Sequence, residues 1–532
     1  MNHWFSRLTI VAIAALSFIP FLNGVHLFDW DEINFAEAAR EMIVSGNYST
    51  VTIDYKPFWE KPPLFFWMQA ASMKVFGINE FGARFPNAIA GIFTLLLFFE
   101  LGKKLRNITF GLVWSFMYLV SFLPQFYFKS GIIDPWFNLF IFLGITLTYF
   151  YLNSKKPFYF FLGGLAIGLA VLTKGPVGLL IYLLTGFVFF AFQKFKNLPP
   201  FSHILLFLVG VISFGGGWII SETIQGRFYI IQDFFEYQIR LLQKQDAGHG
   251  GPFYYHFFVL LIGCFPLSAF AIENFVGKVK PNNTFGFLMK ILFWVVLILF
   301  SIVNTKIIHY SSLCYFPLSF LATAGFMNFV IQNNKRLTNI FLSSLWVIWI
   351  VILFGLVWIG INIDKLPELI TIKDKFAASS LQYPTPFSHY DYLPVMALLG
   401  GFIFFFFHKE PIRKGTIALS FSFISFMLAM ALIVPKVEVF SQGGAVDFLK
   451  QHRNELVYPL GFKSYAHLFY TEKKPYDNPE YHDVNLALSK PFNHPIFFYT
   501  KIQKAERFEK AYPFLEKIDE DRGFVFYKKS PR

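Results

Sequence analysis

Apolar and polar residues follow one another along this chain in long blocks. Thirteen mainly apolar runs fall at about 8–24, 85–101, 108–127, 133–153, 158–173, 176–193, 202–221, 256–274, 286–303, 309–331, 338–362, 392–408 and 415–434. Each is close to the ~20 residues an α-helix needs to cross hydrocarbon, so the pattern predicts a bundle of about thirteen transmembrane helices. Between the first two runs, Ala36, Ala39, Met42 and Ile43 recur at helical spacing against Glu37, Arg40 and Glu41, which predicts a short amphipathic helix on the membrane surface. From residue 435 the blocks shorten. Apolar runs LVYPLGF, PIFFYT and GFVFYKK alternate with helix-like AVDFLKQH and KAERFEKAYPFLEK, the pattern of a small α/β domain.

The predicted class is therefore an all-α polytopic membrane protein over 1–434, with an α/β domain outside the membrane over 435–532. Composition agrees: 55% of the 532 residues are hydrophobic, 74 of them Phe, and only 15% are charged. A soluble protein of this size could not hide that much apolar surface. Lys103, Lys104 and Arg106; Lys155 and Lys156; Lys194 and Lys196; Lys278 and Lys280; Lys335 and Arg336; and Lys409, Arg413 and Lys414 lie in alternate short loops. Cationic short loops stay cytoplasmic. With thirteen spans these loops share one side, and the 25–84 loop, the 222–255 loop and the tail lie outside. The net charge of +13 is largely this topogenic Lys and Arg. No basic patch interleaved with aromatics stands out, which excludes nucleic acid as a partner. The first run lacks a small-x-small cleavage site before Gly24 and reads as a retained span. Cys264 and Cys314 both fall in membrane runs and imply no disulfide framework.

Candidate chemistry collects on the outer side. Asp31 and Glu32 open the amphipathic segment; they either cap it and complement its dipole or supply an acid that takes a proton from an acceptor hydroxyl. Glu60-Lys61-Pro62-Pro63 is a stiff turn. It places Lys61 to meet a phosphate and Glu60 a metal or sugar hydroxyl, or it anchors the interface beside Trp59 and Trp67. Asp134 stands at the outer start of a span and Arg84 at the outer mouth of another. Lys174 lies between two spans, against the positive-inside bias, as a ligand or a snorkelling side chain. Lys306, His309 and Tyr310 form a polar cluster at an outer boundary. His249 and His256, seven apart, match no metal spacing.

The order DE, AREM, EKPP, an Asp at a span mouth, LTKGP, HxGPxYY and TKxxHY, from Phe28 to about Pro317, resembles the bacterial glycosyltransferases of the protein-mannosyltransferase and aminoarabinose (lipid A) transferase superfamily. The resemblance implies the GT-C fold and a sugar moved from a polyprenyl-phosphate donor to a lipid or protein acceptor at the outer face of the inner membrane. It also implies roles: Asp31 as the essential acid in the outer catalytic loop 25–84, with Glu32 beside it, and Asp134 as a second acid. Lys61 and Lys174 would bind the donor phosphate with Arg84, Lys306 and Tyr310 near it. Glu60 and His249 would hold a divalent metal (Zn, Mg or Mn). The chain departs from the aminoarabinose transferases at Asn34 and Phe35, where those carry Arg-Tyr. Competing expectations are a lipid-linked sugar transporter or flippase, which needs polar groups through the membrane midplane, and a polysaccharide ligase.

Overall fold

The computed structural model describes residues 3–243, 250–276, 284–331, 336–366, 371–476 and 479–531. Among these, nine helices are long and apolar enough to cross a membrane: Glu80–Leu105, Asp134–Ser154, Pro157–Lys174, Phe201–Ile224, Phe285–Ile302, Ile308–Ile331, Arg336–Ile361, His389–Phe407 and Pro411–Gln451. Three shorter apolar helices, Trp4–Phe18, Ile108–Leu119 and Val177–Phe192, account for three further predicted runs. The remaining run is divided into helices Tyr255–Gly263 and Leu267–Phe275, separated at Pro266, which has no N–H to continue the ladder. All thirteen predicted runs are thus helical, but four are short or interrupted.

The phenylalanine content has a structural use. Phe98 stacks on Trp114 with ring centroids 4.6 Å apart, and Phe142 and Phe316 pack edge-on or tilted around them, giving the bundle a centre of interlocked aromatic rings. Where backbones must approach, glycine replaces them. A Cβ on Gly164 would collide with the Phe207 carbonyl oxygen, so the Pro157–Lys174 helix can cross the Phe201–Ile224 span only without a side chain there.

The last span, Pro411–Leu432, ends in a turn at Ile433, and the consecutive helical segments Val434–Glu438, Val439–Gly443 and Gly444–Gln451 carry the chain from there directly into the outer domain. A hairpin in the first loop supplies strands β1 (Thr52–Ile53) and β2 (Lys56–Pro57). The domain contributes β3 (Val457–Pro459), β4 (Ile496–Lys501), β5 (Glu516–Asp521) and β6 (Phe524–Lys529) in the order β3-β4-β6-β5; β3 and β4 are parallel and the rest antiparallel. Both faces of this sheet are covered, which explains the unbroken apolar IFFYT. Ile496 and Phe498 pack within the domain, whereas Phe497, Tyr499 and Phe524 join a core with Ile33, Ala36 and Ala39 of the Asp31–Ser45 helix.

That packing changes the expected setting of the amphipathic helix. It does not lie with a polar face in water: every residue from Glu32 to Met42 is buried, because the outer domain covers the face bearing Glu37, Arg40 and Glu41. Arg40 answers Glu37 with two hydrogen bonds of 2.6 Å and also donates to the Lys473 carbonyl of the domain.

A second buried pair corrects two sequence-based assignments. Glu32, expected beside Asp31 in the chemistry, and Arg84, expected at the donor phosphate, are bound to each other. Arg84 Nε and Nη2 donate to the two Glu32 oxygens at 3.0 and 2.7 Å. Its other N–H groups reach the carbonyls of Leu22, Val25 and His26. A guanidinium has five N–H donors, and all five are used. Glu32 accepts further bonds from the Phe28 and Gly131 amides. Both residues fasten the end of the first helix, the second span and the 128–133 loop together. Removing one member of such a pair strands a charge, at a cost of about 3–5 kcal/mol. Arg84→Met is therefore expected to lower the thermal midpoint of the purified protein sharply, measured by loss of the monodisperse peak on heating; an unchanged midpoint would contradict the structural role.

Candidate active site

At the end of the bundle that meets the C-terminal domain, helix ends aim charged groups at one point. Asp31 begins the Asp31–Ser45 helix, Asp134 begins the Asp134–Ser154 span and Lys174 ends the Pro157–Lys174 span. Carboxylates at helix starts and an ammonium at a helix end suit the helix dipoles. Gly175, at φ +104°, turns the chain immediately after Lys174 into a conformation open to glycine. His309 and Tyr310 arrive on the short 3-10 segment Ile308–Cys314.

His309 occupies the centre. Its Nε2 lies 3.3 Å from Asp31 Oδ2 and 3.8 Å from Asp134 Oδ2. Lys174 Nζ donates to Asp134 Oδ1 at 2.6 Å and sits 5.2 and 5.6 Å from the ring centres of Tyr310 and Phe137, within cation–π range. Asp134 is buried; Asp31 keeps 30% of its side chain exposed and so offers the group open to a substrate. Burial alone would raise the Asp31 carboxyl, but the His309 hydrogen bond and the charges of His309, Lys61 and Lys174 hold it below the usual carboxylate range.

Lys61 approaches from the Glu60–Pro63 turn. Its ammonium lies 5.1 Å from the ring centre of Tyr237, which also packs against Trp59. Tyr237 belongs to the Phe228–Gln243 helix. Burial pushes the Lys61 ammonium below its usual range, against the pull of Glu60 and Asp31. Among the described residues it donates no hydrogen bond to a protein acceptor, so its charge is available to a ligand.

Of the sequence-based assignments, Asp31, Asp134, Lys61, Lys174 and Tyr310 come together with Glu60 at the edge; Glu32 and Arg84 do not. Lys306 is also placed elsewhere in function: its buried ammonium donates to the carbonyls of Phe300, Ser301 and Val303. It thereby satisfies the open carbonyls at the end of the Phe285–Ile302 helix. His256 is buried and bonds Ser311 Oγ through Nδ1. His249 lies outside the described residues. No three His, Cys, Asp or Glu side chains among the described residues group closely enough to hold a metal ion, and Asp134 is already committed to Lys174. The residues that sequence reasoning left without a role are His309, noted only within its polar cluster, and Tyr237, whose signal was the amphipathic period of its helix.

The chain is similar to known proteins in sequence and in fold. Residues 60–216 match the family model described as dolichyl-phosphate-mannose-protein mannosyltransferase. An undecaprenyl phosphate-alpha-4-amino-4-deoxy-L-arabinose arabinosyl transferase of Wigglesworthia glossinidia brevipalpis is 26% identical over 351 residues, 63% of this chain and 60% of the relative. A protein of the same description from Edwardsiella ictaluri is 28% identical over 348 residues, 63% of this chain and 61% of the relative. The matches thus span about three fifths of the length of these curated relatives. The crystal structure of ArnT from Cupriavidus metallidurans bound to undecaprenyl phosphate superposes with a TM-score of 0.72 at 15% identity, covering 98% of this chain and 97% of that one. The shared fold extends over the outer domain as well as the bundle. The chain is thus similar in sequence to the protein-mannosyltransferase family over residues 60–216 and to the aminoarabinose transferases over about three fifths of its length, and it shares its fold with ArnT.

Proposed function

We propose that the protein transfers a sugar from a polyprenyl-phosphate donor to a lipid (lipid A-like) or protein acceptor, at the outer, periplasmic face of a bacterial inner membrane. The observation that carries this is the ammonium of Lys61, which donates to no protein acceptor among the described residues and lies within electrostatic reach of the Asp31 carboxylate at one end of the bundle. The names of the relatives supply the donor class, and the solved relative of the same fold was crystallised with undecaprenyl phosphate. A flippase would need charges through the membrane centre; here the ionisable cluster sits at the helix ends.

The chemistry follows from the groups in place. An acceptor hydroxyl oxygen attacks the anomeric carbon of the donor sugar, and the bond from that carbon to the phosphate oxygen breaks. The electron pair leaves with the polyprenyl phosphate, whose charge grows by one. Lys61, with Lys174 behind it, stabilises that developing charge without first protonating the leaving oxygen. Asp31 orients the hydroxyl and takes its proton as the new bond forms. His309 fixes Asp31 by hydrogen bond, and Asp134 holds both His309 and Lys174. A single displacement of this kind inverts the anomeric centre.

The test is turnover of a panel of polyprenyl-phosphate sugars by purified protein with an added membrane-lipid or peptide acceptor. Wild type is expected to release polyprenyl phosphate, and Asp31→Asn to do so at least ~100-fold more slowly; equal rates would remove Asp31 from the chemistry. The basic limb of the pH profile is a second check. The Lys61 ammonium is depressed below its usual 10.5, so deprotonation begins earlier and activity should fall below that pH. Lys61→Arg, whose guanidinium does not titrate in this range, should move the limb upward; a limb that stays in place would assign it to another group.

A further inference from the structure

The Lys61 turn is connected, three residues upstream, to the β1–β2 hairpin, and the hairpin is held from outside by the C-terminal domain. Its two turn residues, Asp54 and Tyr55, have φ of +55° and +57°, the geometry of a tight two-residue hairpin. Tyrosine rarely adopts that conformation, so contacts elsewhere must hold it. The Asp54 carboxylate oxygen Oδ1 accepts from Lys473 Nζ at 2.7 Å and lies 2.8 Å from His482 Nδ1. Tyr55 Oη donates to the Lys473 carbonyl at 2.9 Å, and Lys56 Nζ to the His482 carbonyl at 3.1 Å. Lys473 is buried, only 4% exposed, so this ion pair is shielded from salt and water. From beneath, Glu41 Oε2 accepts from Thr52 Oγ1 and the Tyr55 amide at 2.7 and 3.0 Å.

From the hairpin the path to the site is short. Phe58 N–H closes onto the Val51 carbonyl at 2.8 Å, and Trp59 and Glu60 then lead to Lys61. On the far side Pro62 and Pro63, both buried, lead into the Leu64–Phe76 helix. With proline rigidity on one side and a clamped hairpin on the other, Lys61 has little freedom to choose its own place.

We infer that the C-terminal domain is a brace for the cationic turn, with Asp54 and Lys473 as positioning residues that hold Lys61 at the donor phosphate. This rests on the function proposed above. In this arrangement the domain acts on the site through the hairpin. Separating its effect from plain loss of stability requires readouts that global destabilisation would not produce.

Full-length protein in lipid nanodiscs should be assayed for polyprenyl-phosphate release against donor concentration. The variants are Lys473→Met, Asp54→Asn, the swap Asp54→Lys with Lys473→Asp, and each single change in a Lys61→Ala background. Lys473→Met and Asp54→Asn should raise KM for the donor about tenfold, leave KM for the acceptor unchanged, and be partly rescued by the swap. In the Lys61→Ala background the same changes should add less than about twofold, because the brace and the lysine act in series. An equal penalty in both backgrounds, or a fall in kcat with donor KM unchanged, would overturn the proposal. Hydrogen exchange gives a readout that needs no turnover. Lys473→Met should speed amide exchange over residues 51–61 while leaving the core spans protected; unchanged exchange there would overturn the brace. If wild type released no polyprenyl phosphate from any donor, the proposed activity would fail, and the exchange result alone would decide the brace.

Discussion

Arg84 donates all five of its N–H groups inside the protein, two to Glu32 and three to carbonyls between Leu22 and His26. Burying a guanidinium is tolerable only when its charge is paired and its donors are satisfied, and here both conditions are met by one constellation. The consequence is geometric. The pair joins the chain leaving the first helix, the start of the Asp31–Ser45 helix and the Glu80–Leu105 span. With Glu32 fixed in that direction, its neighbour Asp31 must point another way, because successive residues on a helix do not share a face. The way it points is toward His309, Asp134 and Lys174.

Around that point the charges are mutually dependent. Lys174 is held by Asp134, Asp134 also faces His309, and His309 hydrogen-bonds Asp31. Each carboxylate has a cationic or hydrogen-bonding neighbour, and these neighbours hold the Asp31 carboxyl below its usual range against burial. Lys61 stands apart from this chain, contacting the Tyr237 ring and donating to no protein oxygen among the described residues. A leaving phosphate gains charge as its bond to the sugar breaks, and a preset ammonium meets that charge without reorganising.

The sequence carried much of this and missed the rest for identifiable reasons. Helical runs are legible because hydrocarbon imposes a length and a polarity, although Pro266 and the short helices show that apolar run length overstates regular helix. The convergence of Asp31, Lys61, Asp134, Lys174 and Tyr310 was readable because charge on the outer side of apolar spans is sparse. Residue type could not separate Arg84 from Lys61, or Lys306 from Lys174. All are cations near an outer boundary, and only the fold shows that Arg84 meets Glu32 and that Lys306 satisfies the end of a helix. The polar stripe of Glu37, Arg40 and Glu41 resembles a water-facing surface until the C-terminal domain is seated on it. That contact joins residues more than four hundred positions apart, and no local pattern announces it.

If this cluster binds a lipid phosphate, equilibrium binding measures it without relying on knowledge of the sugar or the acceptor. Polyprenyl phosphate should be titrated against wild type, Lys61→Met and, as a control on the opposite face, Lys155→Met, all in nanodiscs of fixed lipid composition. Lys61→Met is expected to bind about tenfold or more weakly, the worth of one charge-assisted hydrogen bond, with Lys155→Met indistinguishable from wild type. Wild-type affinity retained by Lys61→Met would contradict binding at this cluster.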